Sequence, residues 1–275
     1  MHDMIWRFII DPPLCPAMNM AIDEAIAYLF IKDKMPPTLR LYQWESPALT
    51  LGSFQKVDAT LRHFLETNPV TPIRRITGGQ ALLHDKDLTY SIIASTHDPL
   101  FSGGIKKTFY SIAQGLLVGL AQLGVSAEIH TPMSNAASLR GQRALRGQRA
   151  LRGRSPFCAT SLSWYEIAID EKKLVGSAQK RWPDHFLQHG SLPLVSTPFE
   201  DDLYKGRSLN LYDLINRLVS PSEMEGAMKL GFETAWTIKL TRGSLTSEEI
   251  KLANHLVTEK YNNTDWTQRT GYTRA

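Results

Sequence analysis

What most limits the fold of this chain is the order in which strand-like and helix-like stretches follow one another. Apolar residues at Trp6 to Ile10 suggest a first strand. The run Asn19 to Ile31 then carries Met20, Ile22, Ala25, Ile26 and Leu29 at helical spacing and stops at Pro36 and Pro37. Alternation and β-branched content predict strands at Leu39 to Gln43, Ala48 to Leu51 and Leu88 to Ala94. A second helix is predicted from Lys106 to Leu123, ending at Gly124. Beyond it lie a hairpin, Trp164 to Ile169 and Lys173 to Gln179 turning at Asp170 and Glu171, and a strand at Ser191 to Val195. Strands that follow strands do not make the βαβ alternation of a parallel sheet. The expected class is therefore α+β, a mixed and mainly antiparallel sheet packed with helices.

With 275 residues, 43% of them hydrophobic, the chain can bury one sizeable core. We expect a single catalytic domain over 1–275, with 196–275 a helical extension packed on the core. That tail offers Leu211 to Leu218 and Ser247 to Lys260 as helices, the second opened by Thr246, Ser247, Glu248 and Glu249, a good start signal. Residues 139 to 154 read LRGQRA LRGQRA LRGR. A six-residue period fits neither helix nor solenoid, and each unit holds a glycine, so 135–156 is expected to be a mobile arginine-rich loop.

The six arginines from Arg140 to Arg154 account for the net charge of +4; without them the balance is slightly acidic. No aromatic residue interleaves with them, which favours a solvated loop over a nucleic-acid site. No run of about 20 uncharged apolar residues is present, and the start MHDMIWRFIIDPP lacks a signal peptide's pattern. The expectation is a cytoplasmic protein with no membrane and no nucleic-acid partner. Cys15 and Cys158 are the only cysteines, so a disulfide framework is not expected and either thiol is available for chemistry.

Three segments carry candidate chemistry. Arg74 to Asp85 reads RRITGGQALLHD, with two cations before a glycine pair and an imidazole and carboxylate at its end. Glycines let backbone approach a ligand and arginine supplies charge for an anion, although a glycine pair is as often only a turn. Lys173 to Arg181, KLVGSAQKR, followed by LQHGS at Leu187 to Ser191, places a lysine at the start of a strand that then carries small residues. Burial there would make its amine reactive, but a surface lysine after a hairpin turn fits the same spacing. Cys158, in SPFCATS, is either a small buried hydrophobe or a nucleophile, and a thiolate needs a cation or donor beside it.

The runs PTLRLYQWESPALTLGSFQ, RRITGGQALLHDKDLTYSI, CATSLSWYE and KLVGSAQKRWPDHFLQHGSL, in that order, resemble the cysteine-using octanoyltransferase branch of the biotin/lipoate A/B protein ligase family. The likeness covers about residues 5 to 195. It implies that family's catalytic-domain fold, with Cys158 as nucleophile and Lys173 as its basic partner. It further implies a substrate pocket with Arg75, Gly78, Gly79, His84, Gly176, Ser177, Gln179, His189 and Gly190. The reaction implied is transfer of an octanoyl group from octanoyl-acyl carrier protein, through a cysteine thioester, to a lysine on a lipoyl-domain protein. Acceptors of that kind are the glycine-cleavage H protein and 2-oxoacid dehydrogenase E2 subunits. No metal and no cofactor are then expected.

Two departures from the family pattern stand beside the cysteine: Ala159 follows it where phenylalanine is usual, and the arginine repeat lies directly upstream. A simple hairpin at Asp170 sets Lys173 opposite Ala168 and leaves Cys158 about 30 Å away along an extended strand, so the cysteine segment has to fold back. Other readings are an ATP-dependent lipoate ligase, which would need ATP and Mg, an amidotransferase between lipoyl carrier proteins, and a non-catalytic module binding a lipoyl domain or RNA.

Overall fold

The structure is a computed structural model that describes residues 5–131, 165–199, 203 and 209–268. The arginine-rich repeat and Cys158 lie outside the described residues.

The expected strands are present with two shifts: the one expected at Ser191 to Val195 begins at His185 and ends at Pro193, and the one expected at Trp164 to Ile169 is confined to Ile167–Ile169, Trp164 lying outside the described residues. They are β1 Ile5–Ile10, β2 Thr38–Tyr42, β3 Ala48–Leu51, β6 Asp87–Ser95, β8 Ile167–Ile169, β9 Lys172–Arg181 and β10 His185–Pro193. Four others were not anticipated: β4 Thr71–Arg74, β5 Leu82–His84, β7 Glu128–Ile129 and β11 Lys239–Arg242. An eight-stranded sheet runs β11-β1-β2-β6-β10-β9-β8-β7, and a three-stranded sheet runs β4-β3-β5. In the large sheet β11, β1 and β2 are mutually parallel, and every other neighbouring pair is antiparallel. The mixed, mainly antiparallel class expected from the order of elements is what forms.

Helix α1, Pro16–Lys32, starts three residues earlier than the apolar spacing suggested, because Pro16 takes a first-turn position where its missing N–H is no loss. It packs on one face of the large sheet with Ile9, Tyr42, Ile93 and Leu187. Helix α2, Ala59–Thr67, is capped by Asp58 and buries Leu61 and Phe64 against the small sheet. Helix α3, Ile105–Gln122, covers the opposite face of the large sheet.

The C-terminal part completes both faces. After the short α4, Leu211–Ile215, helix α5, Pro221–Trp236, lies against α3 and places Phe232 and Trp236 beside Trp6 and Phe101. Strand β11 then extends the sheet edge next to β1. Helix α6, Ser247–Leu256, opens with the expected capping box of Thr246 and Glu249, continues as a π-helical turn at Val257–Tyr261, and packs on α1. The Glu249 carboxylate also accepts two hydrogen bonds from the Arg7 guanidinium, at 2.7 and 2.6 Å, in a buried bidentate pair that ties α6 to β1. Helix α7, Thr264–Gln268, closes over β4. No helix among the described residues is long and apolar enough to cross a membrane.

Candidate active site

The loop between β4 and β5 is organised by one cation. All five N–H groups of Arg75 are used: Nε donates to Thr77 Oγ1 (3.1 Å), Nη1 to Thr50 O (2.8 Å) and Thr50 Oγ1 (3.1 Å), and Nη2 to Gly78 O (2.7 Å) and Gln80 O (2.8 Å). The guanidinium therefore clamps the glycine loop from inside. Gly79 has a left-handed φ of 96°, and a side chain there would press on Arg75 Nη2. The same loop leans on Gly52, where any Cβ would collide with the Gly79 carbonyl.

From Arg75 two hydrogen-bond chains run to buried carboxylates. Thr77 Oγ1 lies 2.6 Å from His189 Nε2, and His189 Nδ1 lies 3.0 Å from Asp23 Oδ2. The Asp23 carboxylate can only accept, so His189 Nδ1–H donates to it, and Nε2 of the neutral ring accepts from the Thr77 hydroxyl. On the other side Thr50 Oγ1 meets His84 Nε2 at 3.1 Å, and His84 Nδ1 donates to Asp87 Oδ2 at 2.9 Å. Asp87 Oδ2 also accepts from Thr89 and Ser191. Asp23 is the denser junction, accepting from Arg40 Nη1 (2.8 Å), Ser91 Oγ (2.8 Å) and Tyr42 OH (2.9 Å) as well.

Burial disfavours charge on His189 and moves its pKa down, against the opposing pull of Asp23. For Asp23 burial acts upward, but the His189 hydrogen bond and the Arg40 and His189 charges outweigh it and hold the carboxyl below its usual range. Tyr42, buried beside Asp23, is pushed well above the usual phenol value, so it stays a donor.

These groups wall a narrow cavity lined by Met20, Tyr42, Trp44 and Leu82 on its apolar side, with Gly176, Ser177, Ala178 and Gly190 forming its floor. Trp44 stacks on His84 at 4.2 Å between ring centres and donates from Nε1 to Thr89. Gly190 has no room for a side chain: a Cβ would meet Gly176 O, Ser177 Oγ and Tyr90 within 2.7 Å. A larger cavity of about 740 Å³ lies elsewhere, between the starts of α1 and β4, α2 and the C-terminal helices, and holds Cys15. It gathers none of the residues singled out as the substrate pocket. Among the described residues no three His, Cys, Asp or Glu side chains group as metal ligands would.

Residues 15–205 match the lipoyl protein ligase A/B catalytic domain. The chain belongs to this family. Within it the chain is 34% identical to octanoyltransferase LipM of Brevibacillus brevis, over 96% of this chain and 99% of that protein. It is 32% identical to octanoyltransferase LipM of Bacillus subtilis, over 97% and 99%. Among solved structures it superposes on a lipoate-protein ligase A bound with ATP with a TM-score of 0.76, at 24% identity over 96% of this chain and 99% of the other. A bipartite lipoate protein ligase from Thermoplasma acidophilum, studied with its E2 lipoyl domain, gives 0.73 at 22% identity, over 98% and 99%. These two likenesses speak to the fold.

Set in this lipoyl ligase-type fold, most residues singled out in the sequence come together. Arg75, Gly79, His84, Gly176, Ser177, His189 and Gly190 line the one cavity. Gly78 enters through its carbonyl, held by Arg75, and Gln179 lies away from the cavity, donating to Gln188 Oε1 at 2.9 Å. Lys173 is buried near the start of β9, the strand whose Gly176, Ser177 and Ala178 form the floor. Cys158 falls outside the described residues.

Sequence reasoning missed Asp23, Asp87, Thr50 and Thr77, which hold the histidines, and Glu166, which pairs with Lys173 at 2.6 Å. Asn19 and Asp23, four apart within an otherwise apolar helix face, were the available signal for the first of these.

Proposed function

We propose that this chain is an octanoyltransferase that takes an octanoyl group from acyl carrier protein and places it on a lysine of a lipoyl-domain protein in the cytoplasm. The observation that carries the reading is the full-length similarity to octanoyltransferases. The cavity floored by β9, the strand that carries Lys173, is consistent with it.

In the first step the Cys158 thiolate attacks the carrier thioester carbon, a new C–S bond forms, and the carrier leaves as a thiol after taking up a proton. In the second, a lipoyl-domain lysine amine attacks the acyl-enzyme, the C–N bond forms, the bond to Cys158 breaks, and the proton lost by nitrogen passes to the leaving sulfur. Lys173 stabilises the thiolate by charge and exchanges protons with the incoming amine, and backbone amides near Gly78, Gly79 and Gly176 face the oxyanion. The octanoyl chain lies along Met20, Tyr42, Trp44 and Leu82. Burying seven or so of its carbons gains roughly 5 kcal/mol at about 0.8 kcal/mol per CH2. At about 30 Å³ the cavity holds one water-sized group, so Met20, whose thioether side chain adapts readily, has to give way.

The acceptor class is a lipoyl domain, such as the glycine-cleavage H protein or a 2-oxoacid dehydrogenase E2 subunit. The reading is tested by incubating the protein with octanoyl-acyl carrier protein and a lipoyl domain in the absence of ATP. Octanoylated lipoyl domain is the expected product; product that forms only from free octanoate and ATP would replace this reading with a ligase.

A further inference from the structure

Lys173 is delivered by a tight turn and a bulge. Asp170 and Glu171, the two turn residues, both have left-handed φ, 48° and 60°, as a type I′ hairpin requires. The ladder then pairs Ile169 with Lys172, Ala168 with Lys173 and Ile167 with Val175, leaving Leu174 as the extra residue. Leu174 and Val175 both enter the core under α3. A bulge turns its strand locally, which separates Lys173 from the face that Val175 takes.

The Lys173 ammonium donates to Glu166 Oε1 at 2.6 Å, and both side chains are 4% exposed. Removing two charges from water costs several kcal/mol per ion, and an apolar pair of similar volume is often as stable or more so. Stability is thus a poor reason to keep the pair. Glu166 is itself fixed: its carbonyl accepts from His130 N at 2.8 Å, and Tyr165 N donates to His130 O at 2.9 Å. Tyr90, whose hydroxyl bonds Ser177 Oγ at 2.7 Å, has its pKa pushed up to about 12 by burial; the hydrogen bonds with Ser177 and Gln188 oppose the rise, and the Glu166 charge adds a smaller push upward.

We infer that Glu166 is a positioning residue for acyl transfer, whose carboxylate fixes the Lys173 ammonium near the start of β9, the strand that goes on to form the floor of the cavity. This rests on the octanoyltransferase reading. Glu166 acts through Lys173, so removing it misplaces a cation that the reaction needs. It does not remove a binding contact.

The test compares wild type, Glu166→Gln, Glu166→Asp, Lys173→Met and the Glu166→Gln/Lys173→Met double variant in transfer from octanoyl-acyl carrier protein to a lipoyl domain. Glu166→Gln is expected to lower kcat by about 10- to 100-fold, the scale of a misplaced catalytic group, with the carrier KM little changed. Glu166→Asp, which keeps the charge, recovers part of the loss. The double variant is no slower than Lys173→Met alone, because the two residues act as one unit. If Glu166→Gln fails to fold, the comparison of Lys173→Met with the double variant still decides. Further slowing in the double variant, or a Glu166→Gln enzyme at wild-type kcat, overturns the inference. A wild type with no ATP-free transfer overturns the octanoyltransferase reading, and the inference with it.

Discussion

Asp23 is the position where a single change should do most damage away from the reacting atoms. Replacing it with alanine removes a buried carboxylate that accepts from Arg40, Ser91 and Tyr42 and faces His189. Arg40 is completely buried and, among the described residues, keeps Asp11, at 2.6 Å from Nε, as its remaining counter-charge. Breaking a buried pair from one side costs about 3–5 kcal/mol. Each further buried donor left without an acceptor adds about 1–3 kcal/mol, although groups sharing one partner do not add fully. A loss of about 4–6 kcal/mol follows, a large part of the roughly 5–15 kcal/mol that holds a typical domain. In urea unfolding followed by circular dichroism, that corresponds to a midpoint lowered by about 1.5–3 M. Asp23→Asn, which keeps an acceptor but loses the charge, falls between. As a control, Glu223→Ala breaks an exposed pair with Arg217 and leaves the midpoint near wild type. A loss below about 1 kcal/mol for Asp23→Ala would refute the view of Asp23 as the junction that holds the histidine and the arginine in place.

Gly190→Ala pushes a methyl group into Gly176 O, Ser177 Oγ and Tyr90, and is expected to cost about 1–3 kcal/mol and to slow acylation by at least about tenfold as the floor lifts; unchanged acylation kinetics contradict this. The contribution of His189 and Asp23 to the pH dependence of stability has a fixed sign. His189 and Asp23 both have folded-state pKa values below their unfolded ones, so the unfolded chain binds the extra protons. Stability is then present above the unfolded histidine value and falls as pH drops through it, by up to about 1.4 kcal/mol per pH unit for one proton. Urea melts between about pH 7.5 and 5 measure it, and His189→Gln should flatten the upper part of that slope.

Seven of the eleven described strands and the β8–β9 hairpin were legible because alternation, a two-residue turn and flanking prolines are local signals. Even the pairing of Lys173 with Ala168 followed from the turn at Asp170. Helix α5 was not legible. Its sequence holds Gly226 and Gly231, which weaken a helix in isolation, and it is held instead by close packing on α3. There a side chain at Gly231 would sit 2.5 Å from the Gly115 carbonyl, a contact between residues more than a hundred positions apart. Strand β11 depends in the same way on a parallel neighbour at the other end of the chain.

Of the site, the glycine loop and both histidines were legible through the resemblance, but the fate of Arg75 was not. Its type and place suggest a ligand for an anion, whereas the structure uses all of its donors to hold the loop. The carboxylates that anchor the histidines come from α1 and from the start of β6 and meet only in the folded chain. Glu166 was accessible in principle, as an acid seven residues before Lys173 across a two-residue turn.

The central claim is the covalent route through Cys158. Intact-mass measurement after mixing the protein with octanoyl-acyl carrier protein, without ATP, tests it most directly against the Cys158→Ala variant. A hydroxylamine-sensitive octanoyl adduct on the wild type and none on the variant is the predicted result. An equal adduct on both proteins, or none on either while transfer proceeds with ATP and free octanoate, would contradict it.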